Sequence, residues 1–156
     1  MVRTSRYLAI LVLILAVVSI GIGATFIFQA QAKQTWMKSA MQEEKVTFGI
    51  PEAAAKAGDV IDTPEEAQAA ADTIREHRHS IAPTYQDLLG GGKYDPTNPK
   101  HLTYSQAINM ENYLYLSVLG FGVTTALAGV GAFMLLVGIA FGATGVVLLE
   151  LVKRMQ

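Results

Sequence analysis

The apolar residues of this chain gather in two blocks, one towards each end, with a hydrophilic stretch between them. The first block, Leu8 to Phe28, runs for 21 residues without a charge, and only Ser19 and Thr25 carry side-chain polarity. As a helix rising about 1.5 Å per residue it measures about 30 Å, the thickness of a bilayer's hydrocarbon core. The second block, Asn112 to Leu149, is 38 residues without a charge, about twice the length a bilayer needs. A turn dividing it would fall near Gly129–Gly131, yet Ala126–Phe133 holds no Pro, Asn, Asp or charge to mark one. The pattern predicts one long helix over 113–149, of which about 123–149 crosses the bilayer obliquely. Strand-period alternation is missing throughout.

Between the blocks the pattern reads as helix, breaks, helix. Gln29–Glu44 is rich in good helix formers, so the first helix continues outward until Phe48-Gly49-Ile50-Pro51 stops it. A short helical fragment is expected near Pro51–Ala57. Thr63-Pro64-Glu65-Glu66 is a start signal: an N-cap Thr, Pro at the first helical position and Glu three residues after the cap. The helix it opens should reach about His79, with Ala67, Ala70, Ala71, Ile74 and Arg78 on one face. Gly90-Gly91-Gly92 and Asp95–Pro99 form a turn-rich connector, and Thr103 with Gln106 reads as a second capping box that opens the last helix. Large apolar residues are few in 46–102, so this stretch must lean on the long helices or on a partner.

The expected fold is therefore an all-α membrane protein, a two-transmembrane-helix hairpin. Its long helices extend into an extracytoplasmic helical and irregular segment, 29–112, and 1–7 and 150–156 form the ends. Composition agrees. Of 156 residues 51% are hydrophobic and 16% charged, against roughly 25% charged in soluble domains. A wholly disordered chain is excluded on the same ground. With no cysteine, disulfide scaffolds, Cys-ligated metals and thiol chemistry are excluded too. A net charge of −1 gives no general attraction to nucleic acid.

Charge then supplies an orientation. Arg3 and Arg6 precede the first block, and Lys153 and Arg154 follow the second, while the middle segment carries eight Lys/Arg against twelve Asp/Glu. By the positive-inside rule both termini are cytoplasmic in a multi-pass cell-membrane protein, with the central segment extracytoplasmic. Ala30-Gln31-Ala32 has the look of a signal-peptidase site, but the apolar run is much longer than the roughly 7–15 residues of a signal core. An uncleaved anchor is expected. Trp36, Tyr113 and Tyr115 are placed to act as interface anchors.

Small residues recur along both blocks. Thr124, Ala128, Gly131, Leu135, Gly138, Gly142, Gly145 and Leu149 share one helix face, and Ala9, Val12, Ala16, Ser19 and Gly23 repeat likewise. Gly23, Ala128, Gly131, Gly138, Gly142 and Gly145 are the expected helix-packing positions, since small residues let backbones approach closely in lipid. They serve either a pairing within the chain or association with a membrane-protein partner or a homo-oligomer.

Candidate chemistry is sparse. His77, His79 and His101 are of the type that binds zinc or iron, but His77 and His79 lie about 200° apart around a helix and cannot share an ion there. Gly90-Gly91-Gly92-Lys93 fails the phosphate-loop pattern, with no Gly five residues before Gly92 and Tyr94 after the Lys. The acidic residues Asp59, Asp62, Glu65, Glu66 and Asp72 do not follow a calcium-loop spacing. No ionisable residue lies within either span, whereas transporters and pumps usually keep one.

Asp62-Thr-Pro-Glu-Glu-Ala-Gln-Ala-Ala-Ala-Asp72-Thr-Ile-Arg, then Tyr94-Asp-Pro-Thr-Asn-Pro, then Asn112-Tyr-Leu-Tyr115 entering a Gly-rich span resemble a group of uncharacterised bacterial two-span membrane proteins. Some similar sequences bear the label aromatic ring-opening dioxygenase. That chemistry requires a folded pocket and an iron site, which these histidine spacings do not build, so the resemblance implies a topology and no site residues. The functional expectation is a non-enzymatic structural or accessory subunit, associated with the lipid bilayer through small-residue helix faces, without cofactor or metal. The alternative is an extracytoplasmic ligand- or metal-binding sensor around His77, His79 and His101. An envelope enzyme would need a pocket lined by Glu76, His77 and Tyr85.

Overall fold

The computed structural model describes residues 2–45 and 59–155, with the side chains of residues 2 and 3 excepted. Among these residues it is all-helical without a strand: α1 (Val2–Glu43), α2 (Pro64–Ile81), α3 (Tyr85–Leu89) and α4 (Pro99–Arg154). Two of these helices, α1 and α4, are long and apolar enough to cross a membrane. The break expected at Phe48–Pro51 and the fragment expected near Pro51–Ala57 lie outside the described residues.

The starts of α2, α3 and α4 each have a local cause. Thr63 accepts from the Glu66 amide while the Glu66 carboxylate accepts from the Thr63 and Asp62 amides, and Pro64 supplies the first helical φ. α2 ends at Ile81 before the extended Ala82, two residues later than the sequence pattern suggests. α3, which the connector reading omits, begins at Thr84, whose hydroxyl accepts from the Asp87 amide. It ends at Gly90 with φ +55, a left-handed conformation that glycine adopts without steric cost.

The start of α4 corrects the sequence reading. Asn98 caps it, accepting from the Lys100 amide through its side chain and from the Leu102 amide through its carbonyl, with Pro99 at the first helical position. Thr103 and Gln106 therefore lie inside the helix rather than at a second capping box. A Pro that lacks an N–H fits the first turn, where the amide has no intrahelical partner.

The chain divides into two compact units, Met1–Lys33 with Val123–Gln156, and Gln34–Gly122. In the first unit the packing surface is made of small residues: Ala9, Ala16, Ser19 and Ala30 are at most 5% exposed. Gly23 abuts the backbone of Gly131, Gly138 abuts Ala16 and Ile20, and Gly145 abuts Leu13. Numbers rise along α1 as they fall along α4, so the two segments run antiparallel. Ser19 donates across the pair to the Met134 carbonyl at 2.8 Å. Large side chains point the other way: Val17, Phe28, Phe133, Leu136 and Ile139 are all more than 60% exposed.

The second unit has a modest core. Ala67, Ala70 and Ala71 of α2 pack with Ile61 and Leu114, flanked by Met41, Ile74, Tyr115 and Val118. Alanines at this face let α2 approach α4 closely, and each buries little area on its own. Within 59–102, Ile61 and the α2 alanines thus pack against Met41 of α1 and Leu114 of α4.

A polar clamp between α2 and α4 as the candidate functional site

The same α2 face that carries the alanines ends in Arg78, and it meets the α4 face bearing Tyr104, Glu111, Leu114 and Val118. Spacings of three and four put these residues on one stripe of each helix. Arg78 donates to Glu111 twice, Nε to Oε2 at 2.8 Å and Nη2 to Oε1 at 3.3 Å, and its Nη1 donates to the Tyr104 hydroxyl at 2.6 Å. The Arg78 and Glu111 side chains are 12% and 10% exposed, and Tyr104 is fully buried. The guanidinium carbon also lies 5.0 Å from the Tyr104 ring centroid, within cation–π range. Glu111, with the Tyr104 hydroxyl assisting, holds the guanidinium more firmly protonated than usual.

Nearly two turns nearer the start of α2, Asp72 accepts from the Tyr115 hydroxyl at 2.7 Å and from Gln68 at 2.9 Å, with Arg75 at 3.1 Å. These contacts, Gln68 first, hold the Asp72 carboxyl below the usual carboxylate range. Burial and then the hydrogen bond to Asp72 push the Tyr115 hydroxyl up, so it stays a donor. The Glu66 carboxyl is held low as well, chiefly by the Asp62 amide.

Beside the clamp lies an open cleft of about 360 Å³, lined by Arg78, His79, Tyr85, Tyr104, Glu111 and Asn112 among others. Tyr85 tilts against Tyr104 with ring centroids 6.3 Å apart. Glu76, His77 and Tyr85, the trio an envelope enzyme would need, do not converge on it: His77 lines a different cleft with Ile74 and Ile81.

The histidines are dispersed. His77 and His79 are exposed, while buried His101 stacks on Tyr94 and accepts from the Asp95 amide through Nδ1 at 3.0 Å. That bond occupies the Nδ1 lone pair. Among the described residues no three His, Asp or Glu side chains converge to hold a metal ion. The Asp95 carboxylate accepts instead from the Thr97 amide and hydroxyl, which keep it below the usual range.

The other positions singled out in the sequence fall as follows. Gly23, Gly131, Gly138 and Gly145 stand at the α1–α4 contact of the first unit, Gly142 faces Ala16 at ordinary contact distance, and Ala128 is half-buried. Trp36 and Tyr113 are 67% and 70% exposed, whereas Tyr115 is turned against α2 by its bond to Asp72. Sequence reasoning missed Tyr104 and Glu111. A signal for them exists: Tyr104, Glu111, Leu114 and Val118 repeat at seven, three and four, matching the stripe Ala67, Ala71, Ile74 and Arg78.

Arg78 and Glu111 neutralise each other, and Tyr104 takes a further guanidinium donor, so the arrangement acts as a clamp that fastens α2 to α4. In comparisons with known protein families, curated proteins and solved structures, the chain has no match in any of the three.

Proposed function

We propose that the chain is a membrane-anchored accessory subunit: an antiparallel two-span hairpin with cytoplasmic ends that carries a clamped helical module outside the membrane. The observation behind this reading is the inverted distribution of side-chain size in the first unit. Only 17% and 11% of the most apolar windows of α1 and α4 are buried, and what is buried is Ala, Gly and Ser. In water an array of exposed Leu, Ile, Val and Phe would collapse or aggregate. In lipid it is the expected surface, with small residues at the helix contact. The hydroxyls of Ser19, Thr25 and Thr144 all donate to backbone carbonyls, as groups without access to water must.

The pairing register also sharpens the spans. Leu13 faces Gly145, Ala16 faces Gly142, Ile20 faces Gly138 and Ile27 faces Gly131. Leu8–Phe28 is then level with Val130–Glu150. This favours a second span starting near Val130 over an oblique one starting near Val123. Arg6 and Lys153 line one cleft, so the basic residues of both helices gather at the same end of the pair, which supports cytoplasmic termini. Among the described residues the non-enzymatic role has its support in a polar cluster that is internally neutralised.

Topology is tested with single cysteines in this cysteine-free chain, labelled by a membrane-impermeant maleimide. Gln86→Cys should react in intact cells, and Thr4→Cys and Met155→Cys only after permeabilisation. Reaction at all three sites in intact cells would overturn the orientation. The accessory role predicts a complex larger than the monomer on mild extraction. A monomer bound only to lipid would leave an anchored module without a subunit role.

A second reading, an extracytoplasmic ligand sensor, has in its favour the cleft with Tyr85, Tyr104 and Asn112 at its wall. It would be supported by a small molecule or stoichiometric metal retained by the purified protein and lost in Tyr85→Ala.

A further inference from the structure

At one end of the first unit, Arg6, Ile10, Leu149, Val152 and Lys153 enclose a cleft of about 310 Å³. The pairing register builds it. With Leu13 facing Gly145, one further turn brings Ile10 beside Leu149, and the next brings Arg6 beside Val152 and Lys153. Val152 is 4% exposed, while both cationic side chains are exposed. The ion pairs among the described residues join other partners, so neither Arg6 nor Lys153 is neutralised within them. Glu150, the acid nearest in sequence, does not line the cleft.

Two like charges delivered to one cleft by different helices repel each other, and an anion between them turns that repulsion into attraction. The remaining walls are Ile10, Leu149 and Val152, which offer hydrocarbon and no side-chain hydrogen bond. A small hydrated anion gains nothing from such walls. A ligand with an anionic phosphate head and an acyl tail satisfies both parts, and basic pockets between spans at the cytoplasmic face are suited to it.

We infer that this cleft binds an anionic phospholipid, with the phosphate between Arg6 and Lys153 and an acyl chain over Ile10 and Leu149. The inference rests on the two-span reading and adds to it a specific lipid. Bound there, the lipid joins the ends of α1 and α4 as a third component of the helix pair.

The test uses the full chain in nanodiscs of equal phosphatidylglycerol and phosphatidylcholine, with lipid retained on the released protein counted by native mass spectrometry. Phosphatidylglycerol should be enriched about five-fold or more, and Arg6→Gln with Lys153→Gln should abolish the enrichment. Arg6→Lys with Lys153→Arg should keep it. Arg154→Gln removes one cation outside the cleft, as Lys153→Gln alone removes one inside it, and unlike Lys153→Gln should change the ratio less than about two-fold. An equal loss in Arg154→Gln would reduce the effect to diffuse attraction and overturn the site. Displacement of the lipid by millimolar inorganic phosphate would make the ligand a free anion and overturn the lipid assignment. Incorporation into nanodiscs without any phosphatidylglycerol preference would defeat this inference alone. Failure to enter any bilayer would defeat the two-span reading beneath it.

Discussion

At the scale of single residues the decisive feature is Glu111, the last charge before the long apolar run of α4. Its carboxylate is buried, and only the bidentate bond from Arg78 compensates the lost hydration. Removing one partner leaves the other charge buried and unpaired, which costs about 3–5 kcal/mol, more than the pair itself contributes. Glu111→Gln should therefore strip hydrogen-exchange protection from α2, while Arg78→Met with Glu111→Leu should restore most of it. Equal losses in the single and double variants would show that the pair does not hold α2. Thr63→Ala removes one half of the capping box and should cost about 1 kcal/mol, read as faster exchange in the first turn of α2. The carboxyls of Glu66 and Asp72 both titrate lower in the folded chain than in the unfolded one. Their stabilisation is complete above the ordinary carboxylate range and is lost as pH falls through the lower folded values. Protection of α2 should thus hold steady from pH 7 to 5 and decline below about pH 4.

Among the elements, the α1–α4 contact depends on the absence of side chains. A Cβ on Gly138 would lie 2.5 Å from the Ile20 side chain and 3.0 Å from the Ala16 carbonyl, so any larger residue must move a backbone. Gly129, by contrast, has nothing within 4 Å of such an atom. The Ala16 Cβ and the Cβ position on Gly142 are 3.9 Å apart, a separation a disulfide accepts. Ala16→Cys with Gly142→Cys should then crosslink within one chain on mild oxidation. Adding Gly138→Leu should suppress the crosslink at a cost of about 1–3 kcal/mol, and adding Gly129→Leu should not. A crosslink that formed only between two chains would assign the contact to an oligomer instead. The small-residue seam was legible in sequence because glycine and alanine repeat at helical spacing. Whether it faced a second copy or the same chain was not, since both arrangements require the same residues.

For the molecule as a whole, the proposed two-span reading ties the register to the length of α4 that a bilayer would cover. With Val130 level with Phe28, a bilayer around Leu8–Phe28, as proposed, would leave Ala126 beyond the hydrocarbon and Ile139 within it. Ala126→Cys should react with an aqueous maleimide and Ile139→Cys should not. Protection at both positions would restore a second span beginning near Val123. The all-helical class, two apolar helices long enough to cross a membrane and the α2 start at Thr63–Glu66 were all determined by the sequence alone. These follow from local quantities: run length, helical periodicity, and a capping box spelled within four residues. The Arg78–Glu111–Tyr104 clamp, the turn of Tyr115 towards Asp72 and the Arg6–Lys153 cleft were decided only by tertiary structure. Each joins residues that no local rule relates, 26 to 43 positions apart in the clamp contacts and across the antiparallel pair in the cleft. Which of the charges become partners depends on how two helices are rotated and registered against each other, and side-chain packing alone sets that.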